Sequence, residues 1–251
     1  MVLALTFLLA VPGVVPSVEL SKADSQAFDR YVAEIEKALP HRTLAPIRLD
    51  KVQSGELDVE PETDPNPRHI GKSLIHDWSG AMFVKGASVA DVLRVLQDFN
   101  NHKTIYSPEA VDSRLISRDG DEYRSYLRLR KKKVITVILN TEYVTRFVRP
   151  SEKRAYSFVR STRVAELDDS GGATEKEKPP GTGSGFLWRL NSYWNLEERD
   201  GGVYVECRAV SLTRDIPTGL GVIVGPMVNG LPRESLEATL ANTRRAIGLV
   251  Q

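Results

Sequence analysis

The chain has 251 residues, enough for one domain of ordinary size with extensions. With 41% apolar and 27% charged residues it has the composition of a globular protein, and a net charge of +1 gives no basis for bulk binding of nucleic acid. A single cysteine, Cys207, excludes an intrachain disulfide and a multi-cysteine metal site, and the four histidines (His41, His69, His76, His102) show no ligand spacing, so neither metal nor cofactor is expected.

The run Val2–Val11 is apolar but too short to cross a bilayer. Small residues around Ser17, Ser21 and Ala23 offer a cleavage site, so residues 1–23 read as a signal peptide, although no Lys or Arg precedes the run. The expectation is an exported protein, periplasmic or secreted. Asp24 to Leu39 reads as a helix, capped by Ser21 or Asp24 and ended by Pro40. Residues 40–72 carry five prolines among charges, which is linker composition, with room for a short strand at Glu56–Val59. Residues 24–71 are thus read as an N-terminal helix and Pro-rich linker outside the core, and 72–251 as the main domain.

From Leu74 to Val84 the residues are strand formers around Trp78. Ser88 then caps a helix, Val89 to Phe99, with Val89, Val92, Leu93, Leu96 and Phe99 on one face. A second short helix, Lys103 to Tyr106, stops before Pro108. Strands follow at Asp112–Ser117, Tyr123–Leu129, Val134–Val148 and Ala155–Leu167, the first two joined by an Asp-Gly turn. Asp168–Ser184 reads as a polar, mobile loop, and Phe186–Glu198 and Val203–Thr213 as a last hairpin. Finally Leu236, Leu240, Thr243 and Ile247 mark the stripe of an amphipathic helix starting near Pro232 and stopping at Gly248. Strands in a run followed by one long helix give an α+β domain, whose curved antiparallel sheet needs that helix as its cover.

Leu74-Ile-His-Asp-Trp-Ser-Gly80, the segment Asp98 to His102 with Tyr106 and Pro108, and the Asp-Ile-Pro-Thr-Gly run at 215–219 carry a resemblance. Together with the element order over about 72–248, the chain resembles the START-like, helix-grip superfamily, including its coenzyme-Q-binding and polyketide cyclase-like members. The resemblance implies a helix-grip fold, with two short helices after the first strand. It also implies a cavity between sheet and C-terminal helix that binds a hydrophobic small molecule or lipid. The alternatives are a cyclase/dehydratase-like enzyme and a structural module with a filled interior.

Within that frame, alternation places Tyr123, Ser125, Leu127 and Leu129 inward. Tyr156, Phe158, Arg160, Thr162 and Val164 share a face, and if it is the inner one, Arg160 needs a carboxylate partner such as Glu206 or Glu142, or an acidic ligand. Arg160 is therefore the expected polar anchor, with Tyr143, Trp188, Tyr123, Trp78 and Leu236 around the ligand. No nucleophile elbow or phosphate loop occurs, and Gly219–Gly225 misses the dinucleotide fingerprint, so no catalytic residue is assigned. Arg128–Lys133 is a basic run, read as a solvated strand end or a contact for anionic membrane.

Overall fold

The computed structural model describes residues 17–132, 136–168, 175–215 and 221–249, with 221–229 as backbone only. A short strand β1 (Val18–Glu19) leads into helix α1 (Lys22–Ala38), a 3-10 turn at Leu39–His41 and helix α2 (Pro46–Gln53). Strands β2 (Asp58–Pro61), β3 (Arg68–Ile70) and the long β4 (Ser73–Lys85) follow, then helices α3 (Val89–Leu96) and α4 (His102–Ile105). Next come β5 (Ala110–Asp119), β6 (Glu122–Lys132), β7 (Thr136–Ser151) and β8 (Arg154–Asp168). The short β9 (Lys176–Glu177) and β10 (Thr182–Gly183) precede the hairpin of β11 (Arg189–Arg199) and β12 (Gly202–Arg214), and helix α5 (Gly221–Gly248) closes the order. The main sheet is antiparallel, in the order β2-β4-β12-β11-β8-β7-β6-β5, and α5 lies across its concave face.

The α5 stripe behaves as its spacing requires: Leu236, Leu240, Thr243 and Ile247 are all buried. They pack on β4 and β12 with Met82, Val84, Val203, Val205 and the α3 residues Val89, Val92 and Leu96. Gly80 makes this close approach possible. A Cβ there would collide with Leu240 Cδ1 and sit 3.2 Å from both Leu236 Cγ and Val59 Cγ2. The start of α3 is held by a capping box. Ser88 Oγ accepts from Asp91 N at 3.2 Å, and the Asp91 carboxylate accepts from Ser88 N at 2.9 Å.

The imperfect alternation of β4 has a physical cause, since both of its faces are covered. The convex face carries α1 and α2, from a stretch whose composition reads as helix plus linker outside the core. The stretch is folded onto the sheet and into it: β2 and β3 pair with β4, and Leu57 and Val59 pack against the concave core. Phe28, Val32, Ile35 and Leu39 pack against Ile75, Tyr193, Val210 and Leu212 as a second apolar layer. Between the layers lies a network of charges. Arg42 donates to both Glu206 oxygens at 2.8 Å and to Glu62 at 3.1 Å. Arg208 clasps Asp77 at 2.9 and 2.6 Å, and the Tyr31 hydroxyl donates to the same carboxylate at 2.5 Å. Arg48 binds Asp58 at 2.5 Å and Ser79 Oγ at 2.8 Å, with Glu60 at 2.9 Å. Composition alone reads this stretch as solvated because each charge finds its partner only across the fold.

Two further expectations need correction. The helix does not begin at Pro232; it runs from Gly221 through that proline, which removes one backbone hydrogen bond without ending it. The described part of the polar loop is tied down rather than free: Lys178 bridges Glu166 at 2.7 Å and Asp168 at 2.9 Å, and Glu177 pairs with Arg163. Residues 169–174 of that loop, most of the 1–23 leader, and 216–220 of the glycine-containing entry lie outside the described residues.

Candidate functional site

Between the concave face and α5 there is a cavity of about 530 Å³. Its wall is mainly apolar: Leu96 and Phe99 from α3 and the turn after it, Leu127, Leu139, Phe147 and Val159 from the sheet, and Trp194, Leu231 and Leu236. Register orients it. The ends of β6 and β12 and the starts of β7 and β11 meet at one end, together with the Leu231–Ser235 part of α5. Every charged lining residue among those described sits there: Glu109, Arg130, Lys131, Arg214 and Asp215. Arg130 is exposed, so the cavity reaches solvent on this side. The opposite end is sealed by the packed core of α3, Tyr123, Phe147 and the C-terminal part of α5.

The residues expected around the ligand divide between the two faces of the sheet. Tyr143 and Leu236 line the cavity. Tyr123 stands behind its deep wall, 5.2 Å from the Phe99 ring and edge-on to Phe147 at 5.6 Å. Trp78 is on the concave face but packs in the core beside α5. Trp188 is on the convex side with Tyr193 and Leu212, because β11 begins only at Arg189 and the alternation cannot be extended back past it. Phe186, Leu190, Ser192 and Trp194, which two-residue alternation would put on one face with Trp188, do line the cavity.

Arg160 is not the cavity's anchor. Its guanidinium faces outward, binds the Glu36 carboxylate of α1 through Nε at 2.6 Å, and keeps a side chain 51% exposed. Tyr156 and Phe158 accompany it on the convex face, where α1 makes apolar side chains favourable. Simple alternation adds Val164 to the same row only because it overlooks a bulge that interrupts the parity. Glu142 pairs with Arg163 and Tyr143 with Ser161, so Thr162 is an extra residue. Glu206, the expected partner, is taken by Arg42. Arg160→Met is therefore expected to cost no more than about 1 kcal/mol in a denaturant titration, the range of an exposed ion pair, and to leave cavity binding unchanged. A loss of binding without a loss of stability would put the side chain back in the cavity.

Alternation alone does not single out the polar groups that do face the cavity. His102 lines it beside Phe99 and Tyr106, and its Nε2 is buried without a hydrogen-bond partner. Burial lowers its pKa to about 4, against backbone hydrogen bonds to Leu96 and Val95, so the ring is neutral at pH 7. The Tyr106 hydroxyl shares a 3.2 Å hydrogen bond with Thr243 on α5. His76, by contrast, is a core histidine, with Nε2 3.1 Å from Thr213 Oγ1. In the basic run, Arg128 pairs with Glu175 at 2.5 Å and Lys131 with Glu109, while Arg130 and Lys132 are exposed. Among the described residues, no group of three or more His, Cys, Asp or Glu side chains could hold a metal ion.

An antiparallel sheet curved around one long terminal helix, with two short helices after its first long strand, is a distinct architecture. The fold is the helix-grip fold. Solved structures similar to this helix-grip chain include TTHA0849 from Thermus thermophilus, at 15% identity and a TM-score of 0.49 over 69% of this chain and 97% of that one. A STAR-related lipid transfer protein fragment from Xanthomonas axonopodis matches at 19% identity and a TM-score of 0.46, covering 72% of this chain and 96% of its own. The Zhui aromatase/cyclase from Streptomyces sp. R1128 matches at 11% and 0.45, covering 69% and 91%. No family model matches the chain. No curated protein matches it either.

Proposed function

We propose that this protein binds a hydrophobic small molecule or lipid in the cavity between its sheet and α5. The observation that carries the reading is the cavity itself: about 530 Å³, walled by Leu, Val, Phe and Trp side chains, inside a fold whose other layers are closely packed. Protein interiors are normally filled to crystal-like density, and an empty apolar space forfeits the dispersion contacts its lining could make. The volume lies within the range of about 300–1,000 Å³ usual for small-molecule sites. The charged residues are confined to one end, so an apolar body enters past a polar rim and leaves its charge-bearing surroundings behind.

Val159→Trp tests this, because it projects a large ring into the cavity from β8 while leaving the rim intact. Protein purified from its own host, extracted with solvent and examined by mass spectrometry should release an apolar compound in near-stoichiometric amount. The tryptophan variant should release at least tenfold less while retaining its cooperative unfolding. Absence of any such compound from wild type, together with equal binding of added apolar probes by both proteins, would show the cavity is not a binding site.

A further inference from the structure

We infer that the sealed end of the cavity recognises an uncharged oxygen function of the ligand, a hydroxyl or a carbonyl, through Thr145, Ser157 and Tyr143. This rests on the cavity being the binding site and adds what its occupant must carry.

Thr145, Ser157 and Tyr143 are 2%, 1% and 7% exposed, all three line the cavity, and none of their hydroxyl oxygens has a hydrogen-bond partner. The Tyr143 hydroxyl neighbours that of Thr141 without hydrogen-bond geometry, and the latter donates its own proton to the Leu127 carbonyl at 2.6 Å. Burial raises the Tyr143 phenol to about 12, so it is a neutral donor at any physiological pH. Buried hydroxyls are almost always satisfied, and leaving one unpaired costs roughly 1–3 kcal/mol. Three in one patch of an otherwise apolar wall are a set of hydrogen-bonding positions awaiting a partner.

The register puts them side by side. Tyr143 and Thr145 are two residues apart on β7, on the same face. Thr145 opposes Val159 on β8, and Ser157 is the next residue of that face. Diagonal neighbours of this kind lie about 7–8 Å apart at the backbone, so side chains leaning inward converge on one ligand group or two adjacent ones. Phe147 and Trp194 flank the patch, and the charged rim is at the other end. A carboxylate or phosphate here would be buried with hydroxyl donors but no cation, since the Arg and Lys liners are at the rim and the lining His102 holds a neutral ring. A hydroxyl or carbonyl carries no such cost.

The test uses probes matched in chain length, 1-octanol, 1-chlorooctane and octanoate, titrated calorimetrically into ligand-free wild type and the Thr145→Val/Ser157→Ala variant. Both substitutions preserve shape and delete unpartnered groups, so the ligand-free variant should be as stable as wild type or more so. The ratio of 1-octanol to 1-chlorooctane affinity should fall about tenfold in the variant, while 1-chlorooctane binding is kept. Binding of 1-chlorooctane with an unchanged ratio would overturn this inference and leave the apolar cavity reading standing. Octanoate as the only probe weakened by the substitutions would overturn the claim that the group is uncharged. Failure of wild type to bind any of the three would overturn both.

Discussion

Arg48→Met is expected to destabilise the protein by about 3–5 kcal/mol, the effect of removing one partner from a buried ion pair. The methionine keeps much of the stem, so the loss is electrostatic. Asp58 would lose its 2.5 Å hydrogen bond, Ser79 its partner at 2.8 Å, and Glu206 a cation at 3.5 Å, all beneath α2 and away from water. Against a total stability of about 5–15 kcal/mol this is a large fraction, and equilibrium unfolding in urea measures it. A change under 1 kcal/mol would mean water reaches these carboxylates. Acid should act on the same groups. Burial alone would raise the Asp58 carboxyl, but hydrogen bonds from Lys51 and Arg48 outweigh it and hold the pKa below the usual value. Glu62 is held low in the same way, its burial outweighed first by Arg42. A folded pKa below the unfolded one stabilises fully above about pH 4 and is lost as pH falls further, so wild type should weaken in that window and Arg48→Met less so.

The second large effect is at the crossing of α5 over β4. Leu240 is fully buried against Gly80, so Leu240→Ala should cost about 2–5 kcal/mol through lost transfer energy and the cavity left behind. Gly80→Ala alone should cost about 1–3 kcal/mol, because its Cβ collides with Leu240 Cδ1. The two together should be less damaging than the sum, by on the order of 1 kcal/mol, since the new methyl occupies space the leucine vacates. Additive losses would show that α5 does not rest on this glycine.

Periodicity makes the architecture readable: the α5 stripe and the strand runs from Ala110 to Arg214 follow from spacing alone. What alternation reports is which residues share a face, not which face is inside. That is why it draws Arg160, with Tyr156 and Phe158, into the cavity when α1 in fact covers their face, and why it passes over the bulge at Thr162. Trp188 fails for a related reason, since it precedes the strand whose parity is applied to it. The charges of Arg42 and Arg48 look like solvated linker because their partners are set by tertiary contact. Ser157 and Thr145 carry no sequence signal at all; a lone hydroxyl in a strand becomes informative only when its surroundings are seen to offer it no partner.

The ion pairs on the convex face also constrain the order in which the molecule can be built. Arg42 and Glu206 are 164 residues apart in the chain, and Tyr31 and Arg208 converge on Asp77 from opposite sides of it. During synthesis Arg42 and Arg48 can meet Glu62 and Asp58 early, but Glu206 and Arg208 reach the network only when β12 exists. The layer formed by the first elements of the fold is therefore among the last that can close. A chain interrupted anywhere before the final hairpin leaves it open.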